Sequence, residues 1–355
     1  MTKNKSKQPL SDTIFLLRIT VCTFFGMYIL AMLIWGGGFL NPQQFLDMFN
    51  NNAALIIISC ALSIVMVAGG IDISVGGIIT LSSMSCVVLL DDGSSSVFRA
   101  LLWSLGIGAA FGLVQGLLIS YREIQPFIIT LAGMFFAKGM TTIVSATPRT
   151  AANPEFLALK GLRIKLPFLG SYGKAGNFIP STIELGVVIA LAVVAIVFLV
   201  LRWSRFGRNL YAIGGNSQSA LMLGINVKRS RFFSYLLCGI LAGVAGFVYL
   251  LHTGSGDAAN AAGAEMEAIA ASIIGGTLLT GGVGNVIGTL FGALSLKTIT
   301  SIVIASGLRE PYWQKITTGA MLCLFILLQS IVLARRGKGQ LALPQWLKIG
   351  AGKKE

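Results

Sequence analysis

The chain has 355 residues, of which 55% are hydrophobic and only 11% charged, and a formal net charge of +14. Soluble domains carry roughly 25% charged residues; this composition, with a mean hydropathy of +0.81, excludes a water-soluble globular protein and predicts an all-α, polytopic membrane protein. The positive charge gathers at the termini and in one connecting stretch, a pattern of membrane topology rather than of nucleic-acid binding.

Residues 1–13, with Lys3, Lys5 and Lys7, read as a cytoplasmic tail. The apolar run from Ile14 continues to about Trp35 without an A-x-A-like cleavage site, so it predicts a retained helix rather than a cleaved leader. The next two runs, about 53–69 and 72–90, flank the stretch "AGGIDISVGGII" at 68–79. Each is short of the ~20 residues of a full span. Gly69 and Gly70 therefore end one helix, and Asp72 or Ser74 caps the free backbone donors of the next.

Runs at about 98–119 and 126–146 come next, the first carrying Gly108, Gly112 and Gly116 on one helix face. Residues 147–181 hold Pro148, Pro154, Pro167, Gly170, Gly173, Gly176 and Pro180 and predict a small folded external cap. Its Arg149, Lys160, Arg163, Lys165 and Lys174 oppose the charge rule, but most lie away from the span ends, where the rule weakens. After a run at 182–201, the basic stretch 202–231 reads as cytoplasmic. Within it Asn216 or Ser217 caps a short helix through Ala220, Leu221 and Leu223, which Gly224 ends.

The run at 232–252 carries Gly239 and Gly243 and ends at the single histidine, His252, expected at the interface. Glu265 and Glu267 open the run 265–281, where they complement a helix N-terminus. The run 284–305 repeats small residues at Gly284, Gly288 and Gly292 and contains Lys297, which either snorkels outward or faces a cavity. A last run at 312–333 precedes a basic tail, 334–355. The count is about ten spans, even, so residues 14–333 form the membrane domain with both ends cytoplasmic.

No phosphate-binding loop, H-E-x-x-H or Ser/His/Asp set occurs, and the five cysteines show no C-x-x-C spacing. No catalytic residue, metal site or cofactor is expected, and the cysteines read as buried small hydrophobes. Intramembrane charge is sparse, which favours an energy source outside the chain over an ion-coupled secondary carrier for a small polar solute, the rival reading.

"GGIDISVGG" (69–77), "IQPFIITLAGMFFAKG" (124–139), "RFGRNLYAIGGNSQSALMLGI" (205–225) and "EMEAIAASIIGGTLLTGGVGNVIGTLFGAL" (265–294) occur in register. Together they resemble the ribose-type sugar permeases of bacterial ABC importers, and the segment 124–139 is similar to the galactofuranose-type branch of that family. The resemblance covers about residues 45–333. It implies a multi-pass permease of the bacterial plasma membrane that carries a pentose or hexose, a furanose among the options. It also implies a second permease subunit (a copy, or more in keeping with that branch a different chain), a cytosolic tandem-cassette ATPase and an external sugar-binding protein. It assigns coupling to the ATPase to Gly207, Arg208, Gly214, Gly215, Asn216, Ala220, Leu223 and Gly224. The remaining candidates, for the pathway or the helix break, are Gly69, Gly70, Asp72, Ser74, Phe127, Thr130, Glu265, Glu267 and Lys297. Ile73, Gly77 and Lys297 depart from the usual family pattern.

Overall fold

The computed structural model describes residues 9–36, 39–91, 95–172 and 177–336. Lys3, Lys5, Lys7, Gly173, Lys174, Gly176 and the tail from residue 337 lie outside them. In chain order, α1 (Pro9–Trp35), α2 (Pro42–Asn50), α3 (Ala53–Val67), α4 (Val75–Asp91), α5 (Val97–Tyr121) and α6 (Pro126–Val144) come first. The connecting cap holds β1 (Arg149–Thr150), α7 (Pro154–Lys160), β2 (Arg163–Tyr172) and β3 (Phe178–Glu184). Then follow α8 (Leu185–Trp203), α9 (Arg205–Gly215), α10 (Ser217–Met222), α11 (Val227–Thr253), β4 (Ser255–Gly256), α12 (Ala264–Ile274), α13 (Val286–Ala305) and α14 (Pro311–Arg336).

Every apolar run of the sequence contains a helix, and the chain is a helical polytopic membrane protein. The count of ten crossing helices is not reproduced by length. Among the described residues six helices are long and apolar enough to cross a membrane, or seven if α2 and α3, bent by 55° at their junction, act as one. Of the four runs not counted, α3, α4 and α12 adjoin the places where the chain breaks, and the fourth is α14. The run 265–281 is helical only as far as Ile274, and α4 stops at 17 residues.

α3 is the centre of the bundle, with every residue but one from Ala53 to Val67 buried. Its apolar composition all round is that of a helix enclosed by others. α5 and α11 pack along the predicted glycine face: Gly108 lies against the backbone of Gly239, Gly112 against Tyr235, and Gly116 against Phe232. Ser104 adds an interhelical bond from its hydroxyl to the Gly243 carbonyl, 2.6 Å. Gly288 and Gly292 do the same for α13, meeting Gly275 and Ala271 of α12. Backbones approach this closely in lipid because packing, not solvent exclusion, drives helix association there.

The predicted cap is folded and carries most of the β structure, its β1 pairing antiparallel with β4 after α11. β2 and β3 form an antiparallel hairpin with an irregularity between Leu166 and Gly170. α2, which has no counterpart in the apolar pattern, holds this hairpin. Its Gln43 accepts from the Thr182 amide at 2.7 Å and its Asn50 from the Glu184 amide at 3.0 Å. His252, in the last turn of α11, meets Glu184 at 2.8 Å, which fixes the end of α11 to the cap. Of the five cysteines, Cys60, Cys86 and Cys238 are buried as expected, whereas Cys22 and Cys323 are exposed; all are free thiols.

Candidate functional site

Between α3 and α4 the chain runs without helix from Ala68 to Ser74. Gly69 takes φ +79°, which glycine adopts without strain and which turns the chain away from the α3 axis. The carbonyls at the end of α3 are satisfied locally, Met66 O by the Gly69 amide at 2.9 Å and Val65 O by the Gly70 amide at 3.0 Å. Of the two predicted caps, Asp72 is the one whose side chain acts. Its Oδ1 accepts from the Ser74 amide at 2.9 Å and the Ser74 hydroxyl at 2.6 Å, while the Ser74 carbonyl opens α4 by accepting from Ile78.

Asp72 and Ser74 are completely buried, so their partners matter. Ser74 Oγ lies 3.2 Å from the side-chain amide of Gln115 on α5. A serine has one hydroxyl hydrogen, and here Asp72 takes it. Gln115 Oε1 is a second, longer acceptor facing that hydroxyl, and its amide nitrogen lies toward Gly133 of α6. Tyr235 of α11 closes the break from the other side by donating to the Ile71 carbonyl at 3.2 Å. Gly133 of α6 lies against Gln115 and Ser74. Gln115, Gly133 and Tyr235 escape the sequence reading; Gly133 alone carried a signal, as part of the 124–139 segment. Phe127 and Thr130 do not join this cluster. Phe127 is 54% exposed, and the Thr130 hydroxyl bonds the Pro126 carbonyl of its own helix at 2.9 Å.

The second break, Gly275 to Asn285, is built from backbone. Gly276, Gly281 and Gly282 take φ of +89°, +86° and +76°. Leu278 N bonds Val283 O at 3.0 Å, and Asn285 caps α13 by accepting from the Ile287 amide at 2.9 Å. The two breaks touch. Gly282 N donates to Val67 O at 2.9 Å, and a Cβ placed on Gly281 would come within 2.9 Å of the Cα atoms of both Gly69 and Gly214.

Gly214 belongs to the third glycine-rich stretch, at the end of α9. A Cβ there would lie on the Val67 carbonyl and the Gly282 amide. Tyr211, one turn earlier, donates to the Gly284 carbonyl at 2.9 Å, and burial pushes its phenol above the ordinary range, which keeps it a donor. α9 is thus seated on both breaks at once. It was not anticipated as a helix, because its buried face is only Gly207, Leu210 and Ile213.

α9 carries α10, the short helix predicted within 202–231. Asn216 caps it, accepting from the Ser219 amide at 2.9 Å, and Gly224 at φ +78° follows its end. Ala220 is buried beneath it, whereas Leu221, Met222 and Leu223 are 64%, 88% and 79% exposed. The eight proposed coupling residues separate accordingly. Gly207, against the Leu201 backbone, Gly214 and Ala220 are packing positions. Arg208, Gly215, Asn216, Leu223 and Gly224 are on the surface, and nothing lies within 4 Å of a Cβ built on Gly215.

Glu265 and Glu267 stand in the first turn of α12, as the helix-dipole argument predicts. Lys297 resolves its two alternatives by pairing inside the chain, its Nζ 2.7 Å from Glu267 Oε2. No group of three or more His, Cys, Asp or Glu able to hold a metal occurs among the described residues.

Residues 45–326 match the family model described as "Branched-chain amino acid transport system / permease component". The chain is 37% identical over 292 residues to the inner membrane ABC transporter permease protein YjfF of Escherichia coli (82% of this chain, 85% of that one). It is 35% identical to the fructose import permease protein FruG of Bifidobacterium longum (82% and 84%). To the ribose import permease protein RbsC of Bacillus subtilis it is 33% identical (86% and 91%). No solved structure matches.

Proposed function

The chain belongs to this family of transport-system permease components, and from that premise we propose that it is the membrane permease of an ABC importer that carries a monosaccharide inward across the bacterial plasma membrane. The family description names amino acids, but relatives matched over more than four fifths of the chain are named for fructose and ribose import. The breadth of that likeness favours a sugar. The furanose option of the galactofuranose-type likeness stays within this class.

The observation that carries the reading is the seat of α9. α10 offers Leu221, Met222 and Leu223 on a rigid mount, as a helix docking in a partner's groove requires. The mount rests through Gly214 and Tyr211 on both interruptions of the bundle. A push on α10 by a cytosolic tandem-cassette ATPase therefore reaches the breaks through the backbone contact of Gly214 and the Tyr211 hydroxyl on the Gly284 carbonyl. The breaks are the bundle's least helical parts, and their movement would open the pathway to one side and then the other. In this arrangement 202–231 and both termini face the cytosol, and the cap at 147–181 faces outward toward a sugar-binding protein. A second permease, a different chain by the galactofuranose-type likeness, completes the pathway.

Gly215→Trp tests the reading, because the position has room for the side chain and the fold should persist. Sugar uptake should fall at least tenfold with normal membrane levels, and the ATPase should no longer respond to the sugar-loaded binding protein. Unchanged uptake together with an unchanged ATPase response would refute α10 as the coupling element.

A further inference from the structure

Glu267 and Lys297 lie where charge is costly. α13 has 20 residues and spans about 30 Å, and Lys297 stands about 17 Å along it, too deep for a lysine to reach either end. Charged groups at such depth pair with one another and face the bundle interior or a water-filled cavity, not lipid. This pair meets the first condition at 2.7 Å. It is nevertheless open, with side-chain exposures of 42% for Glu267 and 23% for Lys297, so the chain does not enclose it.

The neighbouring residues make the same level polar. Glu265, 6% exposed, points a carboxylate oxygen without a hydrogen-bond partner at Gly76, the second residue of α4. Thr80, one turn further along α4, donates to the Asn260 carbonyl at 2.7 Å. Two interrupted helices, α4 and α12, thus bring their N-terminal turns together beside the pair. Discontinuous helices whose ends meet deep in the membrane are a recurring way to build a solute site there.

We propose that Glu267 and Lys297 are a substrate contact of the pathway: the carboxylate accepts from, and the ammonium donates to, hydroxyls of the passing monosaccharide. This rests on the import reading above. The pair selects for adjacent hydroxyl groups, because the two ions lie one hydrogen-bond length apart and a vicinal diol can bridge them. The pair carries no net charge as a unit, which suits an uncharged sugar.

The test is uptake by intact cells carrying the chain with its own partners. The probes are D-ribose, D-fructose and D-allose at saturating concentration, and the monodeoxy analogues of whichever sugar the wild type accumulates. The wild type should carry at least one deoxy analogue five- to tenfold more slowly than its parent. Lys297→Met and Glu267→Gln should slow the parent at least tenfold and bring the two rates within twofold, since the contact that told them apart is gone. Lys297→Arg keeps the charge and covers the case in which the first variants fail to reach the membrane; it should change the parent-to-analogue ratio. Wild-type parent-to-analogue ratios in the variants would overturn the contact and leave a structural ion pair. A wild type that accumulates no monosaccharide at all would overturn the import reading, and the contact with it.

Discussion

The two interruptions of the bundle solve one problem by different means. Each leaves backbone donors and acceptors inside a membrane protein, where an unpaired group is expensive. The first, 68–74, closes with side chains: Asp72 on Ser74, Gln115 behind them and Tyr235 on the Ile71 carbonyl. The second, 275–285, closes with glycines in left-handed conformations and backbone-to-backbone bonds. A break closed by side chains is fixed in place by its neighbours. The second is held mainly by backbone bonds, with Tyr211 on the Gly284 carbonyl and the Asn285 cap at its far end, and lies directly under α9. The difference suggests that the first is the fixed member and the second the moving one.

Substitutions can break or sharpen that contrast. The largest effect belongs to Gly214→Val, where the added atoms would occupy the Val67 carbonyl and Gly282 amide; about 3 kcal/mol or more of stability should go, read as loss of thermal stability in detergent. Gly281→Ala follows. Its φ of +86° and its contact with Gly69 give a strain of about 1–2 kcal/mol plus an overpacking cost of similar size. Asp72→Ala should cost about 1–3 kcal/mol by stranding the buried Ser74 donors, and Asp72→Asn clearly less because an acceptor remains. If Gly281→Ala proves milder than Asp72→Asn, the contrast fails. Asn285→Ala removes only a cap, about 1 kcal/mol, and should slow transport more than it lowers stability if the second break is the moving one.

The smallest effect lies outside both breaks. Glu123, in the α5–α6 connection, is held below the ordinary carboxylate range by its hydrogen bond and charge contact with Lys228, 2.9 Å away. A lowered native value gives a contribution present above the unfolded carboxylate value and lost as pH falls through the native one. The group is fully exposed, so Glu123→Gln should change the acid side of a stability profile only slightly and leave transport untouched.

Much of this was legible in the sequence because the signals are local. The breaks follow from glycines inside runs too short to span, and the α10 cap from Asn216 and Gly224. The folded cap follows from its turn residues. What escaped is tertiary. Glycine spacing announces a close approach but not its partner, so nothing in the chain says that Gly69, Gly214 and Gly281 meet one another. Lys297 could not be placed from sequence because its partner Glu267 lies across the second break. α9 was missed because glycines occupy part of its buried face, which leaves too few apolar residues to show a period.

The meeting of Gly69 with Gly281 also has a consequence for synthesis. The two are separated by more than half the chain, and membrane proteins are made from the N-terminus onward. Until α12 and α13 arrive, the first break must reside in the bilayer with one flank open. Asp72 can satisfy Ser74 at once, because that bond spans only two residues and needs no later helix. The local cap can thus form before the glycine contact, which has to wait for the second break to be made.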